Sequence, residues 1–231
     1  MEHFDAIIVG AGAAGLFCAA RAGQQGLRVL LLDHSDRIAE KIRISGGGRC
    51  NFTNRDAGPA NYLSDNPRFA RSALSRYTPA DFIALVQRHR IAFHEKHKGQ
   101  LFCDHSAEDI IAMLLRENEA GGVVRRQPCG VRGIRRTEGE TPRFALDTDA
   151  GPVAAPRLVI ATGGLPVPAI GATDFGLKVA QQFGLGVIAP RPALVPLTFD
   201  AQAWAPFAAL SGIALPAGIS CGTGKARTTF L

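Results

Sequence analysis

Lysine is scarce here: of the 26 basic residues on this 231-residue chain only five are lysines, and the other 21 are arginines, for a net charge of +6. Consecutive basic residues occur only as the pairs Arg125-Arg126 and Arg135-Arg136, so the chain has no basic run of the kind that marks a nucleic-acid tail. The arginine surplus is left for solvated faces, a phosphorylated ligand, nucleic acid or an acidic partner. Cys18, Cys50, Cys103, Cys129 and Cys221 include no C-x-x-C pair, which argues against both a disulfide framework and a zinc site and predicts reduced thiols. His94, His97 and His105 fit no standard ligand spacing, and no metal is expected. A long apolar run is also missing. The uncharged stretch from Ala6 to Ala20 covers only 15 residues, is rich in glycine, and follows Glu2 and Asp5 where a signal peptide would be basic. These absences predict a soluble cytoplasmic protein with no membrane partner, and an apolar fraction of 46% suffices for a real core.

What is present is concentrated in the first 33 residues. An apolar strand, Phe4 to Val9, runs through Gly10-Ala11-Gly12-Ala13-Ala14-Gly15 into an Ala-rich helix, and a second apolar strand from Val29 to Leu32 ends on Asp33. This is the layout of a nucleotide-binding βαβ unit. Gly10 permits a tight strand-to-helix turn, Gly12 lets backbone approach a pyrophosphate, and Gly15 brings helix and sheet together. The helix start offers unpaired N–H groups and the positive end of a dipole to phosphate oxygens. Asp33, 18 residues after Gly15, sits where a carboxylate accepts hydrogen bonds from a ribose.

Farther along, helical patterns are predicted at 67–76, 79–90 and 106–118, the second opened by Thr78-Pro79 and the third by Ser106 to Asp109. Ala92 to His97 and Gln100 to Cys103 read as short strands. Gly122 to Arg126, Val131 to Arg136 and Phe144 to Asp147 are three strand candidates joined by short turns, expected to form an antiparallel meander crossing over the nucleotide domain. Arg157 to Ala161 is a further strand running into Thr162-Gly163-Gly164, and a helix from Asp174 to Phe183 follows. From Pro190 onward, prolines at 190, 192, 196, 206 and 216 break the chain into short pieces, with strands expected at Leu194 to Phe199 and Ile213 to Ser220. The last residues, Thr228 to Leu231, are apolar and strand-like without a polar cap, and are expected to mark a cut in a longer chain. The domain reading is therefore 1–190 for an α/β nucleotide domain and 191–231 for the start of a β-rich domain.

Two further motifs carry chemistry. Three consecutive glycines in Ser45-Gly46-Gly47-Gly48-Arg49-Cys50-Asn51-Phe52-Thr53-Asn54 permit backbone conformations closed to other residues and close approach to a planar or phosphorylated ligand. Arg43 and Arg49 flank them and favour an anion or an electron-rich carbonyl nearby. Ala161-Thr162-Gly163-Gly164 stands at the C-terminal end of a strand, where open α/β sheets bind ligands.

Together, the GAGAAG turn, the acid closing the βαβ unit, the ISGGGRCNFTN string and the ATGG strand end resemble the N-terminal portion of the HI0933-like flavoprotein family (BaiN/RdsA, aminoacetone-oxidase-like), along nearly the whole chain. The resemblance implies an FAD-binding Rossmann-type domain with a β-meander crossover, interrupted by a smaller β-rich insertion domain. It also implies oxidoreductase activity. By position, Gly10, Gly12, Ala13, Ala14 and Gly15 would cradle the FAD pyrophosphate and Asp33 would hold the adenosine ribose. Lys41 and the loop of Gly46, Gly47, Gly48, Arg49, Cys50 and Asn51 would lie along the ribityl and flavin side. Val131 would lend backbone to the adenine, and Ala161, Thr162 and Gly163 would close over the nucleotide. Full-length members return to the first domain and end in a Gly-rich segment over the flavin, which this sequence does not contain, so a fragment is expected, with a shortened paralogue as the alternative. Arg49, Cys50 and Asn51 are the catalytic candidates: Arg49 or a loop N–H to stabilise developing negative charge, Cys50 as a redox thiol or proton donor, against a packing role for that cysteine.

The implied reaction is hydride transfer between flavin and an activated C=C or carbonyl-type substrate, either a small molecule or a uridine of ribosomal RNA, with NAD(P)H as a candidate reductant. Two other classes stay open on the residues themselves: an NAD(P)-binding dehydrogenase module, which the βαβ fingerprint alone permits, and an inactive nucleotide- or RNA-binding remnant. The oligomeric state is not legible.

Overall fold

A computed structural model describes residues 1–137, 139, 143–192, 198–210, 219–221 and 228–230. The chain divides into two compact units, Met1–Val187 and Ile188–Leu231.

In the first unit, β1 (Glu2–His3) and β2 (Ala6–Val9) lead to α1 (Ala13–Gly23), β3 (Val29–Leu32), α2 (Glu40–Ile44), a 3-10 turn at Ser45–Gly48 and β4 (Asn51–Asn54). Then come α3 (Arg71–Arg76), α4 (Pro79–Arg88), β5 (Phe93–Glu95), β6 (Gln100–Cys103) and α5 (Glu108–Ala120). The unit continues with β7 (Val124–Arg126), β8 (Val131–Arg136), β9 (Phe144–Thr148), β10 (Val153–Ala155), β11 (Leu158–Ile160) and α6 (Phe175–Gln182).

Four of these strands make a parallel sheet in the order β11-β2-β3-β7. β2 and β3 are buried at every position, which is why both read as unbroken apolar runs, AIIV and VLLL. Their residues alternate between two cores. Ile8 and Leu31 face a cluster shared with Leu16 and Ala19 of α1 and Ile110, Met113 and Leu114 of α5. Ile7, Val9, Leu30 and Leu32 face the opposite cluster, with Ile134, Leu146 and Val153 of the neighbouring sheet and Val179 of α6. Helices thus cover one side of the central sheet, and the other side is covered by a second sheet, β1-β10-β9-β8, together with α6. The fold is α/β, a Rossmann-type domain with a β-meander crossover. Between α1 and α5 the Asn118 amide donates to the carbonyls of Leu16 at 2.9 Å and Leu114 at 2.7 Å, tying the two helices together.

One strand assignment needs correction. The Gly122–Arg126 candidate is not part of the meander; as β7 it pairs parallel to β3, with Leu30 opposite Val124, at the edge of the nucleotide sheet. The meander is β8, β9 and β10 instead, and β10 was not foreseen because its sequence, Val-Ala-Ala, is short and weak in strand formers. An edge strand of a parallel sheet is half exposed, so Val124-Arg125-Arg126 carries the same mixed pattern as a meander strand. The predicted helices and the strands leading to Cys103 and Ala161 are found with boundaries moved by a few residues, most of them trimmed and α5 shifted two residues along to Glu108–Ala120.

A third, antiparallel sheet of order β4-β6-β5 carries the triple-glycine segment into its first strand. Among the described residues, no helix is long and apolar enough to cross a membrane.

In the second unit, α7 (Ala201–Trp204) is capped by Asp200, whose carboxylate accepts from the N–H groups of Gln202 and Ala203 at 2.8 and 3.3 Å. Phe199 stacks on Trp204 at 4.8 Å. The backbone of β12 (Ile219–Cys221) pairs antiparallel with β13 (Thr228–Phe230), so the final apolar stretch is a strand. The expected strands at Leu194 to Phe199 and Ile213 to Ser220 fall mostly outside the described residues; residues 198 and 199 are not in a strand, and β12 begins at Ile219.

Candidate functional site

A cleft of about 1180 Å³ opens at the C-terminal ends of β2, β3 and β11 and at the start of α1. Its position follows from the parallel sheet, in which all strands present their carboxyl ends to the same crevice. Backbone hydrogen bonds fix this rim: the Gly10 N–H donates to Leu32 at 2.7 Å and the Ala161 N–H donates to Val9 at 2.7 Å.

The glycines of the first turn have distinct duties. Gly10 has φ of +106°, and a methyl group there would sit 2.5 Å from the Ala161 carbonyl oxygen. At Gly15 a methyl group would lie 1.7 Å from the Gly10 carbonyl oxygen, so this glycine lets α1 press against the strand end. Gly15 is buried and does not line the cleft, so its contribution is packing rather than ligand contact. Gly10, Gly12, Ala13 and Ala14 do line it, and a methyl group at Gly12 would meet nothing within 4 Å. α1 has no side-chain cap and no acidic residue in its first turn, which leaves the positive end of its dipole to the cleft.

Asp33 links the turn to the second strand. One carboxylate oxygen accepts the Ala11 N–H at 2.6 Å and the other accepts the Ser35 N–H at 2.8 Å. Its own carbonyl accepts the Cys129 N–H at 2.6 Å, which brings the segment leading to Val131 alongside; Asp33, Cys129, Gly130 and Val131 all line the same end of the cleft. Each carboxylate oxygen has lone-pair capacity beyond the bond it accepts here. On the opposite rim Ala161, Thr162 and Gly163 line the cleft, and the Thr162 hydroxyl is buried with no hydrogen-bond partner among the described residues. A buried hydroxyl without a partner is costly, so a ligand oxygen reaching it would relieve that cost.

The triple-glycine segment meets the cleft only in part. Lys41, Ser45, Cys50 and Asn51 line it, whereas Gly46, Gly47, Gly48 and Arg49 lie outside its lining and are exposed. The glycines permit the conformation, with φ of +59°, +67° and +83° in turn and Cys50 following at +48°, and at Gly46 a methyl group would also lie 2.8 Å from the Asn51 nitrogen. This turn lets the Gly48 carbonyl accept from Ala107 at 2.7 Å and the Arg49 carbonyl accept from Cys103 at 2.9 Å. Arg43 is not available to an anion as its place beside the loop suggested, because its guanidinium is engaged by Glu40 at 3.0 Å and by Glu108. With the Asn51 amide in the orientation its neighbours satisfy, oxygen and nitrogen exchanged, its nitrogen donates to the carbonyls of Thr53 at 3.1 Å and Leu101 at 3.2 Å and ties the side chain into its sheet.

Cys50 is 5% exposed and belongs to the core beneath the cleft. Burial pushes its thiol up from the ordinary range, against a hydrogen bond with Ser45 that pulls it down, so the neutral thiol is the resting form. Burial also pushes the neighbouring Cys103 to about 12, with Cys50 adding to the rise. The Asp104 carboxylate accepts from the His94 Nδ1–H at 2.7 Å, and His94 does not line the cleft.

Sequence reasoning missed an aromatic wall. Phe17, Phe52, Tyr62, Tyr77 and Phe82 line the cleft, with Phe17 and Tyr77 rings 4.8 Å apart and Phe52 and Phe82 rings 6.1 Å apart. No local motif announces it, because α1, β4, α4 and the segments flanking α3 each contribute only one of these rings. His34 was also missed; it lies against the Gly171 turn, where a methyl group would come within 3.1 Å of its Nε2.

The cleft thus gathers the anion-binding start of α1, a carboxylate and a wall of apolar rings. Such a site suits a long ligand with a pyrophosphate in its middle. In overall fold the chain is similar to glycine oxidase from Geobacillus kaustophilus, at 18% identity and a TM-score of 0.53, over 80% of this chain and 60% of that one. It is 50% identical to the ribosomal RNA dihydrouridine synthase of Escherichia coli strain K12 across 97% of this chain and 55% of the relative. To the 3-dehydro-bile acid delta(4,6)-reductase of Clostridium scindens it is 26% identical, across 94% of this chain and 52% of the relative. The chain therefore spans about half the length of the curated relatives it matches. The HI0933-like protein Rossmann domain matches residues 4–224, and the chain belongs to that family.

Proposed function

We propose that the cleft binds FAD and that the chain is part of a flavoprotein oxidoreductase that reduces the activated C=C of a uridine in ribosomal RNA. The observation that carries the cofactor reading is the convergence, in one cleft, of the uncapped start of α1, the Asp33 carboxylate and the partnerless Thr162 hydroxyl. The preference for RNA over a small molecule rests on the 50% identity to a relative named for that substrate, against 26% to one named for a bile acid.

In this reading the amides of Gly12, Ala13 and Ala14 hold the pyrophosphate, and the remaining lone pairs of Asp33 accept from ribose hydroxyls. Backbone at Val131 borders the adenine, while the Thr162 hydroxyl and Gly163 close over the chain of the nucleotide. Lys41 and Asn51 border the flavin end, and the aromatic wall excludes water from it. When bound, FAD supplies hydride chemistry at its N5, with NAD(P)H as the candidate reductant. Cys50, kept neutral by burial, is a holder of a proton rather than a thiolate nucleophile. Arg49 lies outside the cleft lining, so a direct part in the reaction would require its side chain to swing inward.

The test is a titration of the purified chain with FAD and, separately, with NADH, followed by mass spectrometry for dihydrouridine in ribosomal RNA incubated with the complete protein. Flavin uptake together with RNA carrying two added hydrogens per modified uridine supports the reading. NADH uptake without flavin uptake would favour the dehydrogenase module instead.

A further inference from the structure

The segment between β4 and α4 presents an unusual surface. Residues 61–69 are all exposed, and they include Tyr62 at 53%, Leu63 at 95% and Phe69 at 83% exposure. Large apolar side chains left this open in one short stretch mark an interaction site more often than a solvent face. Arg68, Arg71 and Arg76 are exposed on the same segment, and among the described residues none of them has a carboxylate partner. Arg55, before the segment, is by contrast held by Glu95 at 3.0 Å. Asp65 is the one carboxylate between residues 61 and 76, so the stretch keeps two net positive charges.

The same segment is a wall of the cleft. Tyr62 and Leu74 line it, and Tyr77, directly after α3, packs on Phe17 at 4.8 Å. A polymer lying along the outer side of residues 61–76 would therefore pass the cleft mouth at Tyr62. The chemistry on offer is specific in kind: exposed rings onto which bases stack, interleaved with unpaired guanidinium groups that take phosphates. Guanidinium planes also stack on bases. An acidic polypeptide would use the arginines but would have no use for an open phenyl ring between them.

We infer that residues 61–76 form a docking strip for single-stranded RNA, with bases stacked on Phe69 and Tyr62 and phosphates held by Arg68, Arg71 and Arg76, so that one nucleotide is presented to the cleft. The inference rests on the reading of the cleft as acting on RNA. It names the strip that holds the substrate, which that reading leaves open.

The experiment measures fluorescence anisotropy of a labelled, uridine-containing single-stranded RNA 12-mer with the 231-residue chain, at several salt concentrations. The wild type should bind, weakening as salt rises. Arg68→Gln, Arg71→Gln and Arg76→Gln together should weaken binding at least tenfold and flatten the salt slope by about 0.7 for each phosphate contact removed. Phe69→Ala should weaken binding about tenfold while leaving the salt slope unchanged. Thermal unfolding and FAD uptake of both variants should match the wild type, since the substituted side chains are exposed and outside the cleft lining. RNA binding that is equal in the wild type and both variants overturns the strip and leaves the cleft reading intact. A wild type that takes up FAD but binds no RNA overturns the strip and the choice of RNA together. RNA binding through the strip by a chain that takes up no FAD supports the strip and sinks the flavin reading. If poly-glutamate displaces the RNA at equal charge and Phe69→Ala has no effect, the strip serves an acidic protein partner and the RNA assignment fails.

Discussion

At Gly15 a methyl group would lie 1.7 Å from a backbone oxygen, whereas at Gly47 and Gly48 it would meet nothing within 4 Å. The first glycine-rich stretch, Gly10 to Gly15, uses the missing side chain mainly for room: strand end, helix start and the Ala161 turn are packed so closely that no other residue fits at Gly10 or Gly15. The second stretch, Gly46 to Gly48, has three left-handed residues in succession that turn the chain from α2 into β4; Gly47 and Gly48 serve conformation alone, while Gly46 needs room as well, a methyl group there lying 2.8 Å from the Asn51 nitrogen and from the Phe102 ring. The first stretch is folded into the core and reads the same in sequence and structure. The second is exposed and supports the cleft from outside through its backbone contacts to Cys103 and Ala107.

The largest expected effect separates these two uses directly. Gly15→Ala must move α1 off the strand end and should cost on the order of 3 kcal/mol or more, seen as loss of soluble folded protein or a steep fall in Tm. Gly12→Ala, with open space around it and ordinary φ, should keep Tm nearly unchanged while weakening FAD uptake, because its methyl group would stand where the pyrophosphate approaches.

Next in size is Asp33→Ala. It leaves the Ala11 N–H without its acceptor in a partly buried place, which should cost about 1–3 kcal/mol in denaturant unfolding. It should also weaken FAD binding; a variant that loses stability but binds FAD as the wild type does would reduce Asp33 to a structural role. For the second stretch, Gly47→Ala introduces strain without a clash and should cost only about 1–2 kcal/mol, read as a modest fall in Tm. If Gly47→Ala proved as damaging as Gly15→Ala, the distinction between room and conformation would collapse.

The smallest effect lies away from both. Burial raises the Glu117 pKa, but hydrogen bonds from His89, Gln24 and Arg88 outweigh it, and the carboxyl is held below its ordinary value of 4.5. A depressed carboxylate stabilises the fold above its unfolded pKa and loses that contribution as pH falls through the folded one. Wild-type Tm should therefore drop more than that of Glu117→Gln as the pH is lowered below about 4.5, with little difference between their slopes near neutrality.

How much of this was legible in the sequence depends on how local each signal is. The GAGAAG turn and Asp33 were readable because their partners lie within one βαβ unit, and the hydrogen bond from Ala11 to Asp33 joins residues only 22 apart. β7 was misplaced because an exposed edge strand shows the same mixed pattern whichever sheet it joins. The triple glycine was readable as a special turn, but its backbone turning outward, with Arg43 drawn to Glu40 and Glu108, depends on partners in other elements. The aromatic wall was invisible for the same reason, since Phe17 meets Tyr77 across 60 residues of chain.

The proposed function depends first on FAD occupying the cleft around α1 and Asp33. The most direct measurement is calorimetric titration of FAD into the folded chain, with ADP as competitor and with Asp33→Ala and Gly12→Ala as controls. One FAD should bind per chain, displaced by ADP and weakened about tenfold or more in both variants, about 1.4 kcal/mol each. A folded wild-type chain that takes up no FAD, or takes it up equally well in both variants, would contradict it.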